Sequence, residues 1–110
     1  MKILIPDTIF DDDHGVEHGA AAPCDLEVDG AVQPGDVSDD VWAGADALVA
    51  HHLMPYGAEV AAKAKNARIL VRVGVGVDNI DLPVWAAEGI PVCNVPDYGT
   101  GEVADHALSL

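Results

Sequence analysis

Five short apolar runs, separated by polar or helix-compatible stretches, constrain the fold of this 110-residue chain most strongly. An apolar run as short as residues 69–73 suits a parallel strand that is buried on both faces of a sheet. Parallel neighbours need crossover connections, which the intervening stretches can supply as helices. The sequence therefore predicts one α/β domain with five strands, at residues 2–5, 25–28, 47–50, 69–73 and 91–93.

The predicted helices are marked with unequal clarity. The clearest helix covers residues 82–88, because Asp81 can cap it, Pro83 suits its first turn and Gly89 suits its end. Weaker signals predict helices at residues 56–66 and 14–22 and a loop with a short helix after it from residue 31.

A last helix is predicted from Thr100, with Val103, Ala107 and Leu110 on one face. No glycine, proline or basic last turn closes this helix at Leu110. We therefore expect the chain to be part of a longer protein.

A glycine pair follows the fourth predicted strand, in the run Arg72-Val73-Gly74-Val75-Gly76. Glycine lacks Cβ, so a ligand can approach main-chain N–H groups closely there, and arginine offers a planar pair of donors that matches a carboxylate. The run predicts a binding site for a small carboxylate. Two other interpretations stay open: a tight turn whose arginine pairs with a surface acid, and a dinucleotide-binding turn with Asn79 in place of the third glycine.

The segment His14-Gly15-Val16-Glu17-His18 has the His-x-x-Glu-His spacing of a zinc peptidase helix. Two glycines weaken that helix, and a third ligand would have to come from distant Glu88 or Glu102. We therefore assign no metal site.

Asp7 and the run Asp11-Asp12-Asp13 fit loosely the acidic cluster of a phosphate-accepting receiver domain. Such a domain also needs an aspartate at the end of its third strand, where this chain has His51. A receiver function is therefore disfavoured.

Nineteen acidic residues against five basic ones give a formal net charge of −14. Nucleic acid and anionic membranes are disfavoured as partners, because both require clustered lysine and arginine. No apolar run is long enough to span a bilayer and no signal peptide is evident, so we expect a cytoplasmic protein. Cys24 and Cys93 have no disulfide or metal spacing and are expected to be small buried residues.

Three motifs carry a resemblance to a known family: residues 72–81, residues 89–96 and the run Glu102-Val103-Ala104-Asp105-His106. In this order they resemble the N-terminal part of NAD-dependent D-2-hydroxyacid dehydrogenases. The branch that contains phosphoglycerate dehydrogenase and the C-terminal binding proteins is the most similar. The resemblance is strong over residues 47–110 and weak before them.

The resemblance implies an α/β, flavodoxin-like substrate-binding domain over residues 1–99, with strand order 2-1-3-4-5. Residues 100–110 would begin a helix that leads to a Rossmann domain absent from this chain. A small 2-hydroxy or 2-oxo acid would bind at Arg72, Gly74, Val75, Gly76 and His51. Val75 and Val103 would approach the nicotinamide of NAD or NADP.

The family's catalytic Arg, Glu and His and its phosphate-binding loop would follow residue 110, so no catalytic residue is assigned here. We expect the isolated chain to be inactive and to hold no NAD firmly. The apolar face of the last helix predicts self-association, as a homodimer. A non-catalytic flavodoxin-like interaction module is the alternative interpretation.

Overall fold

The computed structural model describes residues 1–8, 13–31 and 33–110 and contains a five-stranded parallel sheet in the order β2-β1-β3-β4-β5. This order confirms the predicted flavodoxin-like architecture. The second strand begins two residues later than predicted, because Asp25 has a left-handed φ of 52° and ends a 3-10 turn. The strands are β1 (Lys2–Ile5), β2 (Glu27–Gly30), β3 (Ala47–Ala50), β4 (Leu70–Arg72) and β5 (Val92–Cys93).

The helices are α1 (Gly15–Ala21), α2 (Asp39–Gly44), α3 (Ala58–Lys63), α4 (Leu82–Ala87) and α5 (Thr100–Ser109). Helix α4 agrees with its signals: the Asp81 carboxylate accepts a hydrogen bond from Val84 N, and Gly89 has a φ of 71° just beyond the helix. Helix α3 is shorter than predicted, because Tyr56 forms a parallel bridge with Ile80 instead of joining the helix. None of the helices in the described ranges is long and apolar enough to cross a membrane.

The main core lies between one face of the sheet and helices α2, α3 and α4. Leu4, Leu48 and Leu70 are adjacent in register on β1, β3 and β4, and all three are buried. They share one cluster with Trp42 of α2 and Trp85 of α4. Both tryptophans are therefore packing residues of the core, and each contributes about 150–250 Å² of buried surface.

The opposite face of the sheet is only partly covered. Helix α1 contacts β2, whereas Val49 and Val71, which are paired in register on β3 and β4, are only partly buried. Every residue of α5 is exposed, and Leu108 retains 87% of its accessible surface. Helix α5 therefore buries no residue against the described body of the chain.

Both cysteines are exposed, so their predicted burial is wrong. Cys24 lies in the exposed 3-10 turn Ala22–Cys24, which follows α1 directly. Cys93 pairs with Val71 from the edge strand β5, and it lies on the sparsely covered face of the sheet.

Candidate functional site

The candidate site lies at the carboxyl ends of β3, β4 and β5. Because parallel strands end at the same edge of a sheet, residues that follow these neighbouring strands come together there. A cleft of about 460 Å³ opens there, lined by His51, His52, Arg72, Val73, Gly74, Val95 and Tyr98. The structure thus brings together three of the predicted substrate-binding residues: His51, Arg72 and Gly74.

The main chain after β4 is held by the segment that follows β5. Gly74 O accepts a hydrogen bond from Val95 N at 3.0 Å, and Val75 O accepts one from Asn94 Nδ2 at 2.8 Å. In a trans peptide the N–H points opposite to the C=O. These two bonds therefore turn the N–H groups of Val75 and Gly76 away from residues 94–95.

The amides of the glycine run differ in their availability. Gly74 N donates to Arg72 O at 3.0 Å, so this amide is already occupied. Val75 N and Gly76 N donate to no acceptor in the described part of the chain. Both residues are exposed on the turn beside the cleft, and their N–H groups can donate hydrogen bonds to an anion.

The Arg72 guanidinium folds over the main chain of Gly74. Its Nη1 contacts Val73 O, and its Nε is buried without a hydrogen-bond partner among the described residues. Gly74 has a φ of 142°, which L-residues rarely adopt, so glycine is favoured there, and an added Cβ would also displace this guanidinium. Arg72 forms no ion pair within residues 1–8, 13–31 and 33–110, which removes the support for a tight turn with a surface acid as its partner.

His51 is largely buried at the end of β3 and lines the cleft. Its burial lowers the pKa of the imidazole below the usual 6.5, and the charges of Arg72 and His52 lower it further. Asp7 and Glu17 oppose this shift but do not overcome it. The imidazole is therefore neutral near pH 7 and has one nitrogen that donates and one that accepts.

Three residues that support the site were not predicted as part of it: Asp7, Tyr56 and Asn79. The Asp7 carboxylate is fully buried and accepts bonds from His51 N, Leu53 N and Tyr56 Oη. Burial, followed by the bond to Asp7, raises the pKa of the Tyr56 hydroxyl. Only two features of the sequence could have indicated them: an aspartate two residues after the first strand, and an asparagine in place of the third glycine of a dinucleotide-binding turn.

The structure does not support the zinc interpretation of residues 14–18. His14 precedes α1 with a left-handed φ of 52°, so the two histidines do not share a regular helix. No group of three or more His, Cys, Asp or Glu is placed to hold a metal ion within the described ranges.

A receiver-type phosphate site at Asp7 is also unsupported. Its carboxylate is already occupied by three donors from the chain itself. Asp11 and Asp12 of the acidic run lie outside the described residues.

The described residues do not fit the phosphate groups of a dinucleotide. The helix that follows the glycine pair begins only at Leu82, and the Asp81 carboxylate already caps its first turn. Asn79, in place of the third glycine, donates from its side chain to two carbonyl groups. Of the predicted nicotinamide contacts, Val75 is exposed beside the cleft, whereas Val103 lies on α5 and does not line it.

The model of the D-isomer specific 2-hydroxyacid dehydrogenase family, catalytic domain, matches residues 8–109. The chain belongs to this family. D-3-phosphoglycerate dehydrogenase from Archaeoglobus fulgidus is 32% identical over 110 residues, which are 100% of this chain and 20% of that protein. The enzyme of the same name from Mycobacterium leprae is 41% identical over 66 residues, or 60% of this chain and 12% of that protein. The chain thus spans about a fifth or less of these relatives.

Solved structures of family members share the fold. D-lactate dehydrogenase from Aquifex aeolicus, determined with NAD and lactic acid, superposes with a TM-score of 0.82 at 19% identity, over 99% of this chain and 32% of that chain. D-2-hydroxyisocaproate dehydrogenase superposes with a TM-score of 0.74 at 26% identity, over 99% of this chain and 34% of the other. Both the predicted family and the predicted fold are therefore confirmed.

Proposed function

We propose that this chain is the substrate-binding part of a cytoplasmic, NAD(P)-dependent oxidoreductase that acts on the CH–OH group of a D-2-hydroxy acid. In this proposal the chain binds the acid's carboxylate and forms one wall of the active-site cleft. The observation that carries it is the pair of N–H groups at Val75 and Gly76, which are unoccupied within the described residues and belong to the same turn as Arg72, whose guanidinium forms no ion pair there.

Each of these groups contributes differently to carboxylate binding. The two N–H groups are oriented by the bonds that Val95 N and Asn94 Nδ2 make to the preceding carbonyls, so little main-chain entropy is lost on binding. Arg72 adds a charge-assisted donor, and bonds of this type contribute about 1.5–3 kcal/mol each. Neutral His51 can accept a hydrogen bond from the 2-hydroxyl group without placing a second cation in the cleft.

The proposal is tested by NMR titration of the ¹⁵N-labelled 110-residue chain with D-lactate, and with D-lactamide as the uncharged control. The Val75 and Gly76 amide signals should shift with D-lactate and stay in place with D-lactamide. Equal shifts with both compounds, or shifts that avoid these residues, would contradict a carboxylate site.

Arg72→Lys should weaken D-lactate binding by about tenfold, because a point charge cannot reproduce the planar pair of donors. Arg68→Lys is the matched control, since Arg68 is exposed and its Nη2 contacts Met1 Sδ instead of the cleft. Comparable affinity of the two variants would remove Arg72 from the site.

We propose NAD or NADP as the cofactor of the parent protein, not of the isolated 110-residue chain. NAD or NADP would receive hydride there, while this chain would provide an apolar surface at Val75 and no phosphate contacts. The 110-residue chain should therefore not oxidise NADH with pyruvate, and turnover above background would overturn this point.

Self-association is the second candidate function. Val103 of α5 and Leu110, the residue that follows this helix, are exposed and lie two helical turns apart on one face. Val49 and Val71 are incompletely covered on the sheet. An exposed apolar helix face and an incompletely covered sheet face favour a homodimer in which α5 of one copy covers the sheet of the other. Light scattering at high micromolar concentration should give the mass of a dimer, and a monomeric mass would contradict this.

A further inference from the structure

We infer that Asp7 and Asn79 are positioning residues that hold residues 51–56, here called the His51 loop, from two sides and thereby fix His51 against the cleft. This inference deepens the proposed function, because His51 belongs to the same site. It can also be tested without a ligand.

Asp7 holds the N–H groups of the His51 loop. Its two carboxylate oxygens accept from His51 N at 2.8 Å, Leu53 N at 3.0 Å and Tyr56 Oη at 2.6 Å. The side chain is 0% exposed and has no cationic partner in the described part of the chain. A buried carboxylate is tolerated only when hydrogen-bond donors satisfy it, so the charge of Asp7 requires the loop to keep this conformation.

Asn79 holds the carbonyl groups of the same loop. Its Nδ2 donates to His51 O and to Met54 O, both at 3.0 Å. Its own main-chain carbonyl accepts from Tyr56 N at 2.7 Å. Asn79 therefore supplies both a donor and an acceptor to the loop that Asp7 holds through its amides.

The two side chains together determine the direction of the His51 Cα–Cβ bond. The N–H of His51 is bound by Asp7 and its C=O by Asn79, so the peptide groups on both sides of its Cα are fixed. With φ and ψ fixed, the direction of Cβ is fixed too. The imidazole therefore starts from a fixed Cβ at the wall of the cleft that Arg72 also lines.

Asn79 also couples this loop to the carboxylate-binding turn, because it follows Gly76 by three residues in the same connection. The contact between the two segments is reinforced where Asp81 N donates to Tyr56 O at 3.1 Å. A displaced Asn79 would therefore change the distance between His51 and the free amides.

The test uses Asp7→Asn and Asn79→Ala in the 110-residue chain, with Asp25→Asn and Asn66→Ala as matched controls. Asp25 is exposed at the opposite end of the sheet, before β2. Asn66 makes an amide-to-carbonyl bond of the same kind, to Ala43 O at 2.7 Å, away from the cleft. The readout is the pH titration of the His51 imidazole by NMR, without ligand.

The direction of the pKa change separates positioning from simple charge proximity. Burial is the main reason that the pKa of His51 is low, with Arg72 and His52 lowering it and Asp7 and Glu17 raising it. If Asp7→Asn frees the loop, the imidazole regains water and its pKa rises towards 6.5. If Asp7 is only a nearby charge, its removal lowers the pKa of His51 further, and this result would overturn the inference.

Asn79→Ala changes no charge, so any change in the pKa of His51 in this variant reports on the position of the His51 loop alone. The pKa of His51 should rise in this variant and remain at the wild-type value in Asn66→Ala. An unchanged titration in Asn79→Ala would also overturn the inference, and this variant decides if Asp7→Asn fails to fold.

D-lactate affinity provides the link to function. Both site variants should bind it about tenfold or more weakly, a loss of the size expected when an oriented hydrogen-bonding group is misplaced. Wild-type affinity in both would overturn the inference. If the wild-type chain binds no D-lactate, the proposed function fails while the His51 titration still decides this inference.

Discussion

Gly74 and Gly76 should respond in opposite ways to the addition of one methyl group. Gly74 has a φ of 142°, in a region that L-residues rarely adopt, and an added Cβ would collide with the Arg72 guanidinium. Gly76 lacks a positive φ, and its added Cβ would lie 3.2 Å from Oδ2 of Asp78, an exposed side chain that can move. The two positions thus form a matched pair within one turn.

The expected magnitudes follow from the backbone. Gly74→Ala should lower the free energy of unfolding by about 1–3 kcal/mol, the usual cost of a residue held in a sparsely populated region. A loss of 1 kcal/mol corresponds to a fall in Tm of roughly 4–8 °C for a domain of this size. Gly76→Ala should change stability by no more than about 0.5 kcal/mol, because it also restricts the unfolded chain.

Urea unfolding followed by tryptophan fluorescence measures both variants, since Trp42 and Trp85 are buried and become exposed on unfolding. D-lactate titration then separates stability from binding. Gly76→Ala should weaken binding without loss of stability, because its methyl group stands beside the free amide. Equal unfolding free energies for the two variants would refute the backbone reasoning.

Other perturbations test the surroundings of the site. Trp85→Phe should destabilise the chain by about 1 kcal/mol more than Trp42→Phe in urea unfolding, since Trp85 Nε1 donates to Tyr56 O and Trp42 has no such bond within the described residues. Folding lowers the pKa of His51. The contribution of this residue to stability is therefore present above pH 6.5 and is lost as the pH falls through the lowered pKa. His51→Gln should reduce the dependence of the free energy of unfolding on pH, measured from pH 8 to 5. Val103→Ser combined with Leu110→Ser should abolish dimers in light scattering, whereas Asp105→Ser should not, and dimers that persist in the double variant would exclude α5 as the contact.

Local signals were sufficient for much of the fold. Strands β1 and β3 have the predicted bounds, and α4 begins where Asp81 caps it. The error at α3 has a tertiary cause: Asn79 and Asp81 draw Tyr56 into a bridge and shorten the helix. A local pattern cannot reveal a partner more than 20 residues away.

The site was predictable in part for the same reason. Arg72 and the glycine pair are adjacent in sequence, and their chemistry alone indicates an anion. Asp7 gives no such signal, because its three donors lie 44 to 49 residues further along the chain. Gly74 was expected to offer an amide, but that amide is used by Arg72 O within the turn.

The long separation between Asp7 and its partners also bears on how the chain acquires its native state. Asp7 is synthesised before residues 51–56, which supply the hydrogen-bond donors that satisfy its buried carboxylate, and Asn79 is synthesised later still. Closing such distant contacts is slow relative to local helix formation. On the ribosome, the carboxylate after the first strand therefore stays hydrated until residue 79 has emerged, so the cleft should be among the last features of this domain to form.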